Sequence, residues 1–550
     1  MKKYIWKIKG LISAEILFGI FAAISIALVP NFEKKLVDKL FSSEYSNNTL
    51  FNMVMLFALC VAAICIFSYL SSIMEESWKS SMRSMIQTDF FDSLVETDYR
   101  WFRNKNVGEY ISIETNNIDV IVEEYMQPVI SLINVVIKIC IYAVVMYLCI
   151  DWRVALSIFV MSVIVIFIPK IFKKRNGQLG NMSMEATGQY TISVKDYLEG
   201  IKLINNNTRR FVLQQHNKAV DKMTAAKIKR GLFGIFSMSM EVFGIKIMEL
   251  MVFIIVALLL IRGDLTAGMV IAVFSYSAYF IGPLQEALNK IDFINSRRTV
   301  KEKFIEAINI NRQQQKNLHK LSNFKDKITM KNVCLSYDNF KLNNICCCFE
   351  KGKKYAIIGH SGSGKSTMIN LLMKYEMPDS GEISIDGCNI ASLNIDDIVM
   401  CISQKEHIYR ESFENNVTVF GSYSRSSFSE ILNNYSNSIL DKIKHKENCS
   451  DLSGGEKQLT SFIRSLVSGN DVLIMDEPFS AMDAGTLKKV IDILFELEDK
   501  TIIMVTHNLG MNLDKFDEVI LMDDGSIVEN DKFNKVRENH VFRSKMMVKN

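Results

Sequence analysis

Residues 359–367 read Gly-His-Ser-Gly-Ser-Gly-Lys-Ser-Thr, and their spacing suits a bound polyphosphate. Gly362 and Gly364 carry no Cβ, so backbone N–H groups can converge on phosphate oxygens. The helix expected from Lys365 turns its positive dipole end to the same point. Lys365 is placed to reach β- and γ-phosphates, and the Ser366 hydroxyl to ligate Mg²⁺. Gly359, His360, Ser361, Ser363 and Thr367 complete a loop whose ligand is read as ATP.

Further along the chain lie groups suited to hydrolysis. The apolar run Val472–Met475 ends in Asp476-Glu477. Asp476 is placed to hold Mg²⁺ through water, and Glu477 to polarise the attacking water. A second apolar run, Thr501–Val505, ends at Thr506-His507. A histidine at the end of a parallel-type strand sits where α/β folds bind ligands, and His507 is read as reaching the γ-phosphate side. Gln404 follows Val399–Ser403 and suits a contact to Mg²⁺ or water.

These groups need strands to carry them. Lys354–Ile358 runs directly into Gly359, the strand–loop–helix context that a phosphate loop demands. Another strand is expected over 327–333. The 550 residues exceed one compact domain, and the average of 49% hydrophobic and 23% charged residues hides a split. We expect an all-α transmembrane domain over 1–320 and a soluble α/β domain over 321–550. Six apolar stretches are long enough to span a bilayer: about 11–30, 51–73, 128–150, 152–172, 237–261 and 266–286. Asp151-Trp152-Arg153 and Arg262-Gly263-Asp264 mark tight turns. The connection from Lys173 to Arg230 carries twelve Lys and Arg residues, whereas each short turn carries one Arg. The long connections are therefore cytoplasmic and the short turns external. Six crossings return the chain to the side where ATP is available.

The long connections, 74–127 and 173–236, lack proline and are rich in helix formers, so the membrane helices should continue as cytoplasmic rods. Gly108 and Gly200 suggest a turn at each tip. Glu15, Asn134, Lys138, Glu241, Lys246 and Glu249 lie in or beside the spans. They line a polar translocation cavity or, for Glu241 and its neighbours, belong to the cytoplasmic extension of the fifth helix. A net charge of +4 without a basic stripe excludes nucleic acid as a partner. The eleven cysteines show no metal spacing, and Cys346–Cys348 are read as small strand residues in a reducing compartment. The basic start before Leu11 is read as the flank of an uncleaved first membrane helix.

With these parts in order, the chain resembles an ATP-binding cassette (ABC) exporter half-transporter: six membrane helices, then one P-loop NTPase cassette. The most specific element is Leu-Ser-Gly-Gly-Glu-Lys-Gln at 452–458, which resembles the family signature, and Ser480-Ala-Met-Asp483 resembles its D-loop. The resemblance implies that Tyr337 stacks on adenine. It implies that Ser453, Gly454 and Gly455 cap the γ-phosphate on the partner's P-loop, with Asp483 nearby. It places short coupling helices near Ser112–Asn117 and Ile201–Asn206, and closing strands at Asp524-Gly525 and Ile527–Glu529. Two departures stand out. Only about fifty residues separate Gln404 from the signature, so the helical subdomain should be small. The Gly-Glu-x-Gly stretch often found before the signature is replaced by Glu447-Asn-Cys-Ser-Asp451.

One chain has one P-loop and one signature, so two chains must pair head to tail, as a homodimer or with a second half-transporter. The expected activity is ATP hydrolysis coupled to export of a peptide, lipid or hydrophobic small molecule across a bacterial cytoplasmic membrane. A nucleotide-gated channel or regulator, and an importer on the exporter fold (for a siderophore, for instance), are the alternatives.

Overall fold

The computed structural model describes residues 1–41, 47–97, 99–103, 107–150, 152–313, 318–321, 323–337, 340–404, 406–435, 438–507 and 513–545. The chain divides into two units. One joins Met1–Val95 to Val107–Asn309, and the other joins Glu96–Asn106 to Ile310–Asn550.

The first unit is helical. Its long helices are α1 (Lys9–Phe41), α2 (Asn47–Val95), α3 (Gln127–Cys149), α4 (Trp152–Glu199), α5 (Arg209–Ile261) and α6 (Ala267–Gln313). Among the described residues, five helices are long and apolar enough to cross a membrane, and α4 carries the shorter apolar stretch Trp152–Ser162. All six expected spans fall on these helices. Asp151 lies outside the described residues. At 1.5 Å per residue, the 53 residues of α5 extend about 80 Å. That is far longer than a bilayer core, as the expected cytoplasmic rods require.

The alternation of crossings is visible in contacts at one end of the unit. Arg153 and Asp264, from the two short turns, form an ion pair at 3.2 Å. Near the same end, Lys34 Nζ donates to the Cys149 carbonyl at 3.1 Å, and Gly268 N–H to Asp38 at 2.9 Å. Tyr142, Val154, Val256 and Tyr276 meet in one buried cluster drawn from α3, α4, α5 and α6. A second cluster, around Trp78, Met82 and Ile121, ties α2 to the approach to α3. That approach is not uniformly α-helical, because Ile113–Asn117 and Val120–Met126 are wound as π-helix.

The second unit contains the phosphate loop. Its central sheet has the order β9-β8-β3-β7-β6-β5, using β3 (Lys354–Gly359), β5 (Val399–Ile402), β6 (Val472–Asp476), β7 (Thr501–Val505), β8 (Glu518–Asp523) and β9 (Ser526–Asp531). The β8–β9 pair is antiparallel and the other pairs are parallel. A separate antiparallel sheet contains β1 (Lys327–Tyr337), β2 (Phe340–Glu350) and β4 (Ser380–Ile385). The parallel strands read as continuous apolar runs because both faces are buried. Ala356, Ile358, Leu473, Met475, Ile502 and Met504 face a core shared with α8 (Gly454–Val467). Their neighbours Tyr355, Ile357, Val472, Ile474, Ile503 and Val505 face a second core with α7 (Lys365–Leu372) and the antiparallel sheet. This is the period-two alternation of a strand, with two buried sides.

Three short helices, Phe413–Thr418, Arg425–Asn434 and Ser438–Ile443, fill the segment between Gln404 and the signature. The helical subdomain is small, as the spacing predicts. Cys449, in place of the missing Gly-rich stretch, is buried, and its N–H donates to the Glu411 carbonyl at 2.9 Å.

One expectation about the connections fails. The resemblance placed the first coupling helix near Ser112–Asn117, but those residues belong to the membrane unit. The segment grouped with the cassette is earlier and contains a one-turn helix, Tyr99–Phe102. Tyr99 packs on Tyr375 with ring centroids 4.4 Å apart, and Arg103 meets Glu376 at 3.3 Å. These aromatic and charged contacts lie within the cassette unit. The second expected piece does contain a short helix, the 3₁₀ turn Ile201–Leu203.

Candidate nucleotide site

The site forms at the carboxyl ends of four neighbouring parallel strands. β3 ends at Gly359, β7 at Val505 just before Thr506-His507, β6 at Asp476 just before Glu477, and β5 at Ile402, two residues before Gln404. Groups far apart in the chain meet there because parallel strands deliver their termini to one edge.

The loop has the backbone that its glycines allow. Gly362 and Gly364 have φ of +83° and +105°, where a Cβ is disfavoured. Any Cβ on Gly364 would also fall 2.9 Å from Phe340 Cζ. Lys365 is buried, and its ammonium donates to the Gly359 and His360 carbonyls at 2.9 and 2.8 Å. Burial lowers the Lys365 pKa, and the nearby Glu477 and Asp476 carboxylates oppose that shift. Ser363 Oγ is buried with no hydrogen-bond partner, a polar atom that a phosphate oxygen would satisfy. The polyphosphate fits this cradle.

Two of the oxygen groups expected around Mg²⁺ meet directly, and Gln404 is held beside them through Glu477. Ser366 hydrogen-bonds Asp476. Burial raises the Asp476 pKa, while the Ser366 bond lowers it. A hydroxyl, a carboxylate and the Gln404 amide make the hard-oxygen set that Mg²⁺ prefers.

Glu477 is held from both sides. Gln404 Nε2 donates to its Oε2 at 2.9 Å, and His507 Nδ1 lies 2.8 Å from its Oε1. Its own N–H donates to the Val505 carbonyl at 3.0 Å. Glu477 has φ +48°, an uncommon conformation for a side chain of this type. Strain of this kind persists where the surroundings over-determine the backbone, and it clusters at active sites. The carboxylate is thereby aimed and fixed.

Signature residue Ser453 caps α8. Its Oγ accepts from Glu456 N–H at 3.4 Å, and its N–H donates to Glu456 Oε2 at 2.8 Å, a closed capping box. A Cβ on Gly455 would lie 2.9 Å from the Ala481 carbonyl oxygen, and one on Gly454 3.1 Å from Ala481 Cβ. Gln458 bonds the same loop from both ends of its amide, donating to Ser480 Oγ at 3.2 Å and accepting from Ala481 N–H at 3.0 Å. Asp483 spends its carboxylate on its own chain. It accepts from Gly485 N–H, Thr486 N–H and Thr486 Oγ1, which caps α9 (Ala484–Glu496). Among the described residues, no hydrogen bond joins 452–458 to 359–367. The signature is built into the same cassette but not into its own phosphate site. Tyr337 lies at the end of β1, well exposed.

Three contacts escaped sequence reasoning. His360 Nε2 lies 2.8 Å from Asp523, at the end of β8, so the second loop residue is anchored from a neighbouring strand. Glu406 accepts from Ser461 Oγ and lies 3.8 Å from Arg464, linking the Gln404 loop to the signature helix. Gln458 ties the signature to the D-loop. None follows a local pattern; Arg464 within an apolar helix face was the available signal.

A phosphate loop, an acidic strand end and a clamped glutamate, on a chain with membrane-spanning helices, define a nucleotide hydrolase built into a membrane protein. The family descriptions agree: residues 342–480 match the ABC transporter domain, and residues 13–284 match the ABC transporter transmembrane region. The chain belongs to the ABC transporter family. It is a multi-pass membrane protein whose ATP hydrolysis is coupled to transport. The ATP-dependent lipid A-core flippase of Haemophilus ducreyi is 24% identical over 553 residues, covering 96% of this chain and 93% of the relative. The flippase of the same name from Pasteurella multocida is 24% identical over 473 residues, covering 82% and 81%. A solved bacterial Atm1-family ABC exporter with ATP bound has the same fold, with a TM-score of 0.82 at 19% identity and 98% of both chains covered.

Proposed function

We propose that the chain is an exporter half-transporter of the cytoplasmic membrane, with a membrane domain over 1–320 and a nucleotide-binding domain over 321–550. Two copies close on ATP, and a homodimer suffices because each chain carries the full set of groups. The observation that carries this reading is the clamp on Glu477 by Gln404 and His507 beside the phosphate loop.

In this reading Lys365 leaves its own loop carbonyls for the β- and γ-phosphates. Ser366, Asp476 and Gln404 would hold Mg²⁺, which would supply charge neutralisation at the phosphates. Glu477 accepts hydrogen-bonded water and aims it, while His507 and Gln404 keep the carboxylate from rotating away. Tyr337 stacks on the base. Ser453, Gly454 and Gly455 of the second copy cover the γ-phosphate, which the lack of any bond to their own P-loop supports. Closure then opens the membrane cavity outward, and hydrolysis resets it.

The cargo class is an amphiphile: a peptide, lipid or hydrophobic small molecule. The names of the relatives favour an amphiphilic cargo and export. Replacing Glu477 by Gln should leave ATP binding intact, trap the nucleotide and reduce turnover at least a hundredfold. Turnover of Glu477→Gln at the unmodified rate would refute the assignment. ATP-dependent loading of inside-out vesicles separates export from import or gating.

A further inference from the structure

The second residue of the phosphate loop faces two carboxylates outside the Mg²⁺ set of Ser366, Asp476 and Gln404. β8 runs parallel to β3 with Met522 opposite Gly359, so the next residues, Asp523 and His360, meet where both strands end. His360 Nε2 stands 2.8 Å from Asp523 Oδ1 and 3.5 Å from Asp524 Oδ1. The ligand atoms of the three side chains all lie within 4.8 Å of one another.

The other ring nitrogen of His360 fixes where its proton sits. Nδ1 lies 2.6 Å from the Ser361 carbonyl, which can only accept, so Nδ1 carries a hydrogen. In the neutral ring Nε2 is then a buried lone pair that receives no hydrogen bond and is aimed at carboxylate oxygens. A cation between these three groups turns their mutual repulsion into coordination. A ring N–H given to a backbone carbonyl is also the usual way a ligating histidine is oriented. The spacing suits a small dication. Two ligands about 2.0–2.2 Å from zinc, at angles between square and tetrahedral, stand about 2.8–3.6 Å apart. The well-exposed Asp524 side chain can swing in to close the set, and it leaves the site open to solvent for entry.

The frame is already tied together. Asp524-Gly525 is a two-residue hairpin turn with φ of +42° and +77°. Gly525 N–H donates to the Ser363 carbonyl at 3.1 Å, and its own carbonyl accepts from Asn343 N–H at 2.8 Å. A Cβ on Gly525 would collide with the Lys341 carbonyl. Loop and turn are thus held in register before any ion arrives.

We propose that His360, Asp523 and Asp524 form a binding site for a transition-metal dication of the zinc class, separate from the Mg²⁺ position at Ser366 and Asp476. The imidazole favours this class over Mg²⁺ and Ca²⁺, and water fills the open position of a three-ligand site. A bound ion pins His360, whose carbonyl accepts from Lys365 at 2.8 Å, to the β8–β9 turn.

Zn²⁺ binding to the nucleotide-free, full-length protein in detergent is measured by calorimetry. Accessible thiols, Cys346 and Cys388 among them, are alkylated first so that thiolates do not compete. A single saturable ion per chain is expected. His360→Ala and Asp524→Asn should each weaken binding about tenfold or more. Asn tolerates the left-handed backbone of Asp524, so Asp524→Asn should melt in chelator at the temperature of the unmodified protein, and its loss of binding is not a loss of fold. X-ray absorption at the zinc edge should show one imidazole, oxygen ligands and no sulfur. Absence of saturable binding, which an ion pair of protonated His360 with Asp523 alone would give, overturns the proposal. So does binding unchanged in either variant, or sulfur in the zinc shell.

Discussion

The proposed pairing of chains makes a quantitative prediction about two crippled variants. In a Glu477→Gln background, which traps ATP, one chain also carries Lys365→Ala and the other Gly455→Asp. Loss of Lys365 removes a charged donor, worth about 1.5–3 kcal/mol of phosphate contact, or roughly tenfold to a hundredfold in affinity. At Gly455 even a Cβ would sit 2.9 Å from the Ala481 carbonyl oxygen, so a carboxylate must push the Ser480–Asp483 loop aside. Each variant alone should trap almost no ATP. Co-expressed with two tags and purified through both, mixed dimers hold one site with both defects and one with neither. They should trap about one ATP per dimer, against about two for Glu477→Gln alone. If the signature served the phosphate loop of its own chain, each chain of the mixed dimer would be defective. Trapped nucleotide would then stay at the single-variant level, and the reasoning would fail.

Gln404→Ala and His507→Ala each release one side of Glu477. Each should lower kcat about tenfold to a hundredfold with little change in ATP affinity, and an unchanged kcat in both would deny the clamp a role. Asp476→Asn should abolish Mg²⁺-dependent hydrolysis yet raise the melting temperature of the nucleotide-free protein near neutral pH. Burial raises the folded-state pKa of Asp476 above its ordinary 3.8, so its contribution to stability is full below that value and is lost as pH rises through the folded pKa. Differential scanning calorimetry from pH 4 to 8 would detect the difference narrowing toward the acid end. In the membrane unit, Glu15 accepts from Trp78 Nε1 at 2.7 Å and Asn134 Nδ2 at 2.9 Å. Glu15→Ala strands two buried donors and should cost about 2–4 kcal/mol of stability, whereas Glu15→Gln should cost less because its carbonyl still accepts; thermal unfolding in detergent distinguishes them.

The polar residues of the membrane half divided in a way their positions along the spans could not anticipate. Glu241 borders a cavity, whereas Lys246 and Glu249 pair with each other at 2.7 Å on a more exposed face. Glu15 and Asn134 bond one another in the interior. Helical spacing places a residue on a face, but the neighbouring helix decides whether that face meets lipid, protein or a cavity.

Local rules were enough for the loop at 359–367, the apolar strands that carry it and the six spans, because each depends on neighbours a few residues away. The alternation of Tyr355, Ala356, Ile357 and Ile358 between two cores is written in their order along one strand. Gln404, Glu477 and His507 each had a chemical reading, but their meeting depended on the order β3-β7-β6-β5, which is set by long crossover connections and packing on both faces of the sheet. The same holds for Tyr99 on Tyr375 and for His360 against Asp523: these contacts join distant stretches of chain, and only the folded core brings them within reach.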